Sequence, residues 1–418
     1  MVRSARFASR IGLTVRGRSL LAGGIATAVC ALVLDERDLL SVGLFVCLLP
    51  VVSLVLAVRT RRSVQVARTV TPARLQVGSA CEVGLRLSGG PVFGALRLAD
   101  TVPDAAGAAP DMPPRFTVHR IGARGAHVTY PLRPVLRGAH RIGPLTGRAV
   151  GALGLAEFSR EMLGPDRLLV LPRVVGLRGV PRALGSGEGL PGAAAQQGQG
   201  SPDVMVRTYR QGDELRRVHW RSTARHDELM VRLEERPWHA GVTVLLDRRD
   251  GAHGGHGPGA SLEFAVVLAA SIGAHLLRRG EPVEISGEDG IPLTASAGSS
   301  ASGDAGLDSL LDALAVLRPV ARADLSGPPT APGRDVVAVL GTVSPEDAGL
   351  LAGRHPGGGY AILLDTPTWN GAAPGAVPAA DVLGRAGWHV TVATAVGTPE
   401  QAWDALVAGT PRAAAAAR

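Results

Sequence analysis

Residues 19–58 read SLLAGGIATAVCALVLDERDLLSVGLFVCLLPVVSLVLAV. Ser19–Leu34 and Leu39–Val58 carry no charge, and only Asp35-Glu36-Arg37-Asp38 separates them. The second run is long enough to span a bilayer as a helix. The first is a little short, but Val15 and Gly17 extend its apolar side. The intervening charged residues suffice only for a turn, so the stretch predicts a transmembrane helical hairpin over 19–58. A cleaved signal peptide would share the basic start and short apolar run. Against it, the second apolar run follows at once and no small-x-small cleavage site precedes it. Pro50 is compatible with a membrane helix, where neighbouring groups can take up the freed backbone carbonyl.

Outward from the hairpin, arginine sets the orientation. Arg3, Arg6, Arg10, Arg16 and Arg18 precede the first run, and Arg59, Arg61, Arg62 and Arg68 follow the second. Short basic flanks stay on the cytoplasmic side. Residues 1–18 therefore read as a basic cytoplasmic tail, and both termini of a two-pass cell-membrane protein are expected in the cytoplasm. All 44 basic residues are Arg, which reads as the codon bias of a GC-rich genome. The sequence pI of about 10.6 invites a nucleic-acid reading, but the placement of the charge argues against it. Residues 1–80 hold 11 Arg against three acids, whereas residues 81–418 hold 33 Arg and 33 acids. A nucleic-acid binder carries its basic patch on the folded part. The excess here lies beside the apolar runs, so the expected partner is the lipid bilayer and not nucleic acid.

The rest of the 418 residues leaves room for two or three domains. Aromatics are only 3% against 46% hydrophobic residues, so the cores should be aliphatic. Cys30, Cys47 and Cys81 have no metal-ligand spacing and form no disulfide framework. From 62 to 172 the pattern has period two. Ser63–Val70, Cys81–Leu87, Ala95–Val102, Arg115–Ile121, Ala126–Leu132 and Leu168–Leu171 alternate or run short and β-branched between Gly and Pro, as in a small β-sandwich. Arg137–Pro144 is turn-rich, with Gly138 and Gly143 free to take positive φ. Residues 179–200 are Gly, Ala, Gln and Pro, a flexible linker. The linker's Gly187-x-Gly189-x-x-Gly192 lacks the leading strand and opening helix that a dinucleotide site requires.

Chemical variety concentrates in 203–238. Asp203–Glu235 reads DVMVRTYRQGDELRRVHWRSTARHDELMVRLEE. Val204–Tyr209 is strand-like, Asp213 is placed to cap a helix over Glu214–Ala224, and Leu229–Leu233 returns as a strand. Arginines alternate with acids, which suits an ion-pair network built on planar guanidinium forks. Arg216 and Arg217 near a helix start could instead attract an anion. Ser201, Asp213, His219 and His226 supply the residue types of a hydrolase or transferase, but no recognised elbow or motif.

This segment resembles the bacterial family called domain of unknown function 58. Its signature runs Arg-x-Tyr-x-x-Gly-Asp-x-x-Arg-x-x-x-Trp-x-x-Ser/Thr-Ala-Arg, then Leu-x-Val-Arg and acids. Arg207, Tyr209, Gly212, Asp213, Arg216, Trp220, Ala224, Arg225, Leu229, Val231, Arg232 and Glu234 match. Arg137–Pro144 resembles the family's RGxxxxGP element, and Gly151–Leu155 (GALGL) stands where Asp-Pro-Phe-Gly-Leu is usual. The resemblance implies a membrane-attached protein with a von Willebrand factor A-like domain and no established catalytic activity. It also implies protein partners, a MoxR-type AAA+ ATPase and a transglutaminase-like membrane protein. The signature residues, Arg207, Tyr209, Gly212, Asp213, Arg216, Trp220, Ala224, Arg225, Arg232 and Glu234, become the partner-binding candidates.

Residues 241–410 support such a fold directly. Val242–Leu246, Val283–Ser286, Pro292–Ala295, Asp335–Leu340, Tyr360–Leu364 and His389–Ala393 read as strands. Leu262–Leu277, Leu307–Leu317, Pro345–Leu351, Ala379–Arg385 and Glu400–Ala408 read as helices. The alternation gives a parallel, doubly wound sheet. Von Willebrand A-type domains often bind a divalent ion through Asp-x-Ser-x-Ser after the first strand. Here the stretch is Asp247-Arg-Arg249-Asp-Gly251, with both Ser positions lost and Arg249 set to repel a cation. No cofactor, metal ligand or catalytic residue is expected. The whole reads as an α+β multidomain chain of hairpin, β-sandwich-like region and α/β domain: a non-catalytic membrane scaffold.

Overall fold

The computed structural model describes residues 10–89, 95–106, 114–119, 121, 125–151, 153–181, 184, 206–208, 230–232, 241–294, 303–328 and 334–409. The chain divides into two compact units, Met1–Pro172 (with Ala315–Leu317) and Arg173–Arg418 less those three residues.

In the first unit, α1 (Val15–Leu34) and α2 (Arg37–Ser63) form the hairpin, each long and apolar enough to cross a membrane. Both helices begin earlier than the apolar runs, and α2 also ends later. Thr14 caps α1 by accepting the Gly17 amide, and Asp35 makes the turn at φ 52°. Small residues bring the helices together. A Cβ on Gly24 would meet Cys47 Sγ at 2.7 Å, and one on Gly43 would meet the Ala28 nitrogen at 2.8 Å. That is the close backbone approach by which helices associate in lipid. Val29, Leu32, Val33, Leu44, Phe45 and Val55 point outward and exposed, an apolar belt suited to acyl chains.

The strands of this unit are β1 (Arg10–Leu13), β2 (Gln65–Thr71), β3 (Arg74–Gln76), β4 (Cys81–Ser88), β5 (Ala95–Asp100), β6 (Arg115–Val118), β7 (Ala126–Leu132), β8 (Gly138–Ile142), β9 (Leu145–Val150), β10 (Ala156–Leu163) and β11 (Asp166–Leu171). They form sheets β1-β10-β9-β5-β6, β2-β4-β7 and β3-β11-β8 around one core that includes Val83, Leu85, Leu87, Leu96, Phe158 and Leu168. Period-two alternation puts these residues inside and Arg86, Arg97 and Arg148 outside. Two readings change. Within the basic N-terminal stretch, Arg10–Leu13 forms an edge strand, not foreseen in the sequence, paired with β10, with Ile11 and Leu13 against the core. Arg137–Pro144 is not merely a turn: it contributes β8, and positive φ occurs at Gly138 and Gly143 as its glycines foretold.

Gly143 has a packing reason as well. A Cβ there would come within 3.0 Å of both terminal nitrogens of Arg68. Arg68, counted above among the membrane-flanking arginines, has its side chain enclosed. Its guanidinium bonds Asp100 at 2.6 and 3.1 Å, Asp166 at 2.8 Å and the Ile142 and Gly164 carbonyls at 3.0 Å. Tyr130 donates to Asp100 at 2.6 Å. Burial, then the bond and charge of Asp100, push the Tyr130 phenol well above its ordinary pKa. Arg68 is therefore an internal ion-pair partner and does not meet lipid headgroups. The β9–β10 turn, Gly151–Leu155, holds the start of the hairpin. The Thr14 amide donates to the Leu155 carbonyl at 2.9 Å, and the Thr14 hydroxyl to the Gly154 carbonyl at 2.6 Å. A Cβ on Gly17 would lie 2.0 Å from the Leu155 oxygen, so the first turn of α1 seats directly on this turn.

The second unit opens, among the described residues, with the antiparallel ribbon β12 (Val206–Thr208) and β13 (Met230–Arg232). It then alternates β14 (Gly241–Leu246), α3 (Ser261–Arg278), β15 (Val283–Gly287), α4 (Gly303–Val316), β16 (Arg334–Leu340), α5 (Pro345–Arg354), β17 (Tyr360–Leu364), α6 (Pro378–Arg385), β18 (His389–Ala393) and α7 (Pro399–Ala408). The sheet order is β15-β14-β16-β17-β18, parallel throughout. Every residue of β14 and β17 is buried, as a sheet covered on both faces requires. Ala348 and Leu351 of α5 and Ala379 and Leu383 of α6 cover Ala338, Leu340, Ala361 and Leu363. The opposite face holds α3 and α7. Although α3 is also long and apolar enough for a membrane span, 67% of its apolar window is buried within the protein. Instead of a strand over Pro292–Ala295, the structure has a single bridge, Ser286 to Pro292; Ala295 lies outside the described residues.

Candidate functional site

The helices that follow β14 and β16 lie on opposite faces of the sheet. The crevice of a doubly wound sheet opens at such a switch point, beyond the carboxyl ends of the strands. Asp247 and Arg249, directly after β14, occupy that position. Asp247 is wholly buried and Arg249 is 4% exposed. Arg249 Nε and Nη2 donate to the two Asp247 carboxylate oxygens at 3.0 and 2.9 Å. Nη2 also reaches the Thr342 carbonyl at 3.0 Å, and Nη1 reaches the Ala323 carbonyl at 2.9 Å and Asp347 at 3.3 Å. All five guanidinium hydrogens thus have acceptors within the unit. The backbone amides of Arg249 and Gly341 also donate to Asp247, at 3.0 and 3.2 Å. Burial works against the charge on Arg249, but its bonds to Asp247 and Asp347 outweigh that and hold the guanidinium protonated more firmly than usual.

The loop after β14 closes the crevice from above. The Ala252 carbonyl accepts the Thr342 amide at 2.7 Å, and a Cβ on Gly341 would stand 2.2 Å from the Ala252 oxygen. His253 Nε2 bonds the Asp247 carbonyl oxygen and Nδ1 the Ser261 hydroxyl, both at 2.9 Å. Burial lowers the His253 pKa, so the ring is neutral and serves to tie the loop to α3. Asp365, at the end of β17, accepts the Gly375 amide at 2.9 Å; its bonds stabilise its own loop. A divalent ion does not fit here. The oxygens it would use at Asp247 are already taken by four N–H donors, and a fixed positive charge fills the position. The sequence signals for this latch were the Asp-x-Arg spacing and the lost serines; what spacing alone did not reveal is that Arg249 folds back onto Asp247.

The signature residues fall differently. Arg207 and Arg232 lie on β12 and β13, where Arg207 is opposite Val231 and Arg232 opposite Val206. The two strands expected at the ends of the signature therefore pair with each other. Tyr209, Gly212, Asp213, Arg216, Trp220, Ala224, Arg225 and Glu234 lie outside the described residues, as do Ser201, His219, His226 and the Gly187–Gly192 stretch.

Fold and site together define a chain with an apolar two-helix hairpin, a β-sandwich-like unit and a parallel α/β unit whose switch-point crevice is filled from within. A family model described as protein of unknown function DUF58 matches residues 205–336. The match takes in the signature and the sheet as far as the start of β16; the hairpin and the β-sandwich-like unit lie outside it. No curated protein matches the chain. Among solved structures, the Pseudomonas fluorescens alkylpurine DNA glycosylase AlkC, bound to DNA containing an abasic site analog, is 16% identical with a TM-score of 0.17. That comparison covers 37% of this chain and 45% of the glycosylase. The Bacillus subtilis sporulation control protein Spo0M is 14% identical with a TM-score of 0.13, over 26% of this chain and 49% of Spo0M. The chain spans less than half of either structure, and likenesses this slight support no inference about fold or function.

Proposed function

We propose that this chain is a non-catalytic, two-pass membrane scaffold whose β-sandwich-like and α/β units lie on the cytoplasmic side and dock protein partners. The observation that carries this reading is the filled switch point. Where doubly wound sheets take up small ligands, this chain places its own guanidinium and saturates it with internal acceptors. Such a unit is built to present a rigid surface and not to admit a substrate. The arginines flanking the hairpin support the cytoplasmic assignment. The α/β unit is read as von Willebrand factor A-like, with Arg249 in place of the divalent ion, so partner docking is independent of Mg²⁺.

The partner suggested by the family resemblance is a MoxR-type AAA+ ATPase, with a transglutaminase-like membrane protein as a further candidate. Mild crosslinking in membranes, purification of the tagged full chain and mass spectrometry in the presence of EDTA should recover the ATPase. Recovery should fall when Arg207, Arg216 and Arg225 are replaced by Ala. Repeated isolation of the chain without an ATPase, or fluorophosphonate labelling of a serine in the purified protein, would refute this reading.

A further inference from the structure

The outer face of the sheet β1-β10-β9-β5-β6 is a basic groove of about 1510 Å³ lined by Arg10, Arg18, Arg97, Arg115 and Arg148, with Glu157 its one acid among the described residues. All five arginines are exposed. Strand register makes the row. Arg10 is opposite Ser159, Ser159 opposite Arg148, and Arg148 opposite Arg97, while Arg115 lies opposite Ala99, two residues along β5. Among the described residues, Glu157 pairs with Arg148, at 2.7 Å. Like charges directly opposite each other, as Arg97 and Arg148 are, destabilise a sheet; Glu157 offsets the charge of Arg148, so an anion bound beside Arg97 would relieve the rest.

The position of the groove indicates which anion. Arg18 lies in the first turn of α1 and lines the groove. It is the last charge before Ser19–Leu34, which has none. With α1 crossing the bilayer, Arg18 sits at the headgroup level. The groove continues from it along a sheet tied to α1 through Thr14 and Leu155. We infer that this groove is a docking surface for anionic phospholipid headgroups, which hold the β-sandwich-like unit against the membrane. The inference rests on the hairpin reading and adds to it a lipid preference that a hairpin alone does not confer.

The test uses the full chain purified in a neutral detergent and titrated separately with dihexanoyl-phosphatidylglycerol, dihexanoyl-phosphatidylcholine, inorganic phosphate and a polyglutamate peptide. Phosphatidylglycerol should bind, weakening as salt is raised, and phosphatidylcholine should not. Each arginine near an anionic surface contributes about fivefold, so Arg97→Gln with Arg115→Gln should weaken phosphatidylglycerol binding on the order of 25-fold. Arg86→Gln, exposed on the β4 sheet, should leave it unchanged. Equal binding of the two lipids, or a double variant as tight as the parent, overturns the inference. Inorganic phosphate binding as tightly as phosphatidylglycerol would make this a free-anion site, and tighter polyglutamate binding an acidic-protein surface; either also overturns it. Carbonate extraction of native membranes separates the two readings: a chain retained in the membrane but indifferent to phosphatidylglycerol refutes the groove and spares the anchor.

Discussion

Replacing Arg249 by Ala probes the filled crevice most sharply. The change removes both side-chain bonds to Asp247 and strands a carboxylate that is fully buried. The amides of residue 249 and Gly341 remain as donors, but no cation does. Breaking a buried pair by removing one partner costs about 3–5 kcal/mol. For a domain of this size each kcal/mol moves the midpoint by about 2–4 °C, so the α/β unit should melt about 6–20 °C earlier. All five tryptophans lie beyond residue 172, so intrinsic fluorescence reports melting of this unit. The double variant Asp247→Asn with Arg249→Met should recover part of the loss, because the fully buried carboxylate is gone and only Asp347, partly open to solvent, loses its guanidinium partner. EDTA and Mg²⁺ should leave the parent midpoint where it is. A midpoint unaltered by Arg249→Ala, or a parent protein stabilised by micromolar Mg²⁺, would show that the guanidinium does not fill the site.

Two further outcomes follow from buried groups. Asp100→Ala removes the acceptor of both Arg68 and Tyr130 and should cost the β-sandwich-like unit about 3–5 kcal/mol, read as faster amide exchange across β4 and β7; unchanged protection would contradict the network. His355 is buried against Trp388, and burial followed by the charge of Arg354 lowers its pKa from 6.5 to about 4. Above pH 6.5 the ring is neutral in both states. As pH falls toward 4 the unfolded chain takes up the proton first, so the α/β unit should lose about 3 kcal/mol over that window. Replacing His355 by Phe should flatten the fluorescence-detected profile; a slope unaffected by the change would assign it to other groups.

The elements most legible in the sequence were those with a strong period. The uncharged runs marked both hairpin helices, and the short apolar runs Val242–Leu246 and Tyr360–Leu364 marked buried parallel strands. Their limits moved because helix geometry continues through charged ends: α1 includes Arg16 and Arg18, and α2 runs on through Arg61 and Arg62. β8 and β9 were hidden by Gly138, Gly143 and Gly147, residues that weaken a strand signal. At Gly147 the Met162 side chain crosses over the strand, 2.7 Å from where a Cβ would stand. β1 has only four residues, too few for a period, and is a strand because β10 offers it an edge. Arg68 shows why the site was harder to read than the fold. Beside a membrane helix, an arginine bound to Asp100 inside the core and one facing lipid headgroups look the same in sequence; only the tertiary position of Asp100, 32 residues away, separates them. Arg97, Arg115 and Arg148 were equally hidden, because whole-segment charge was balanced and only strand register gathers them on one face.

The orientation of the anchored chain can be measured directly with paired reporters in the full protein. Green fluorescent protein fused after Arg418 should fluoresce, and alkaline phosphatase inserted between Glu36 and Arg37 should be active, with the chain resisting carbonate extraction. A dark carboxy-terminal fusion with active phosphatase at that end, or a chain released by carbonate, would contradict a cytoplasmic scaffold held by a membrane hairpin.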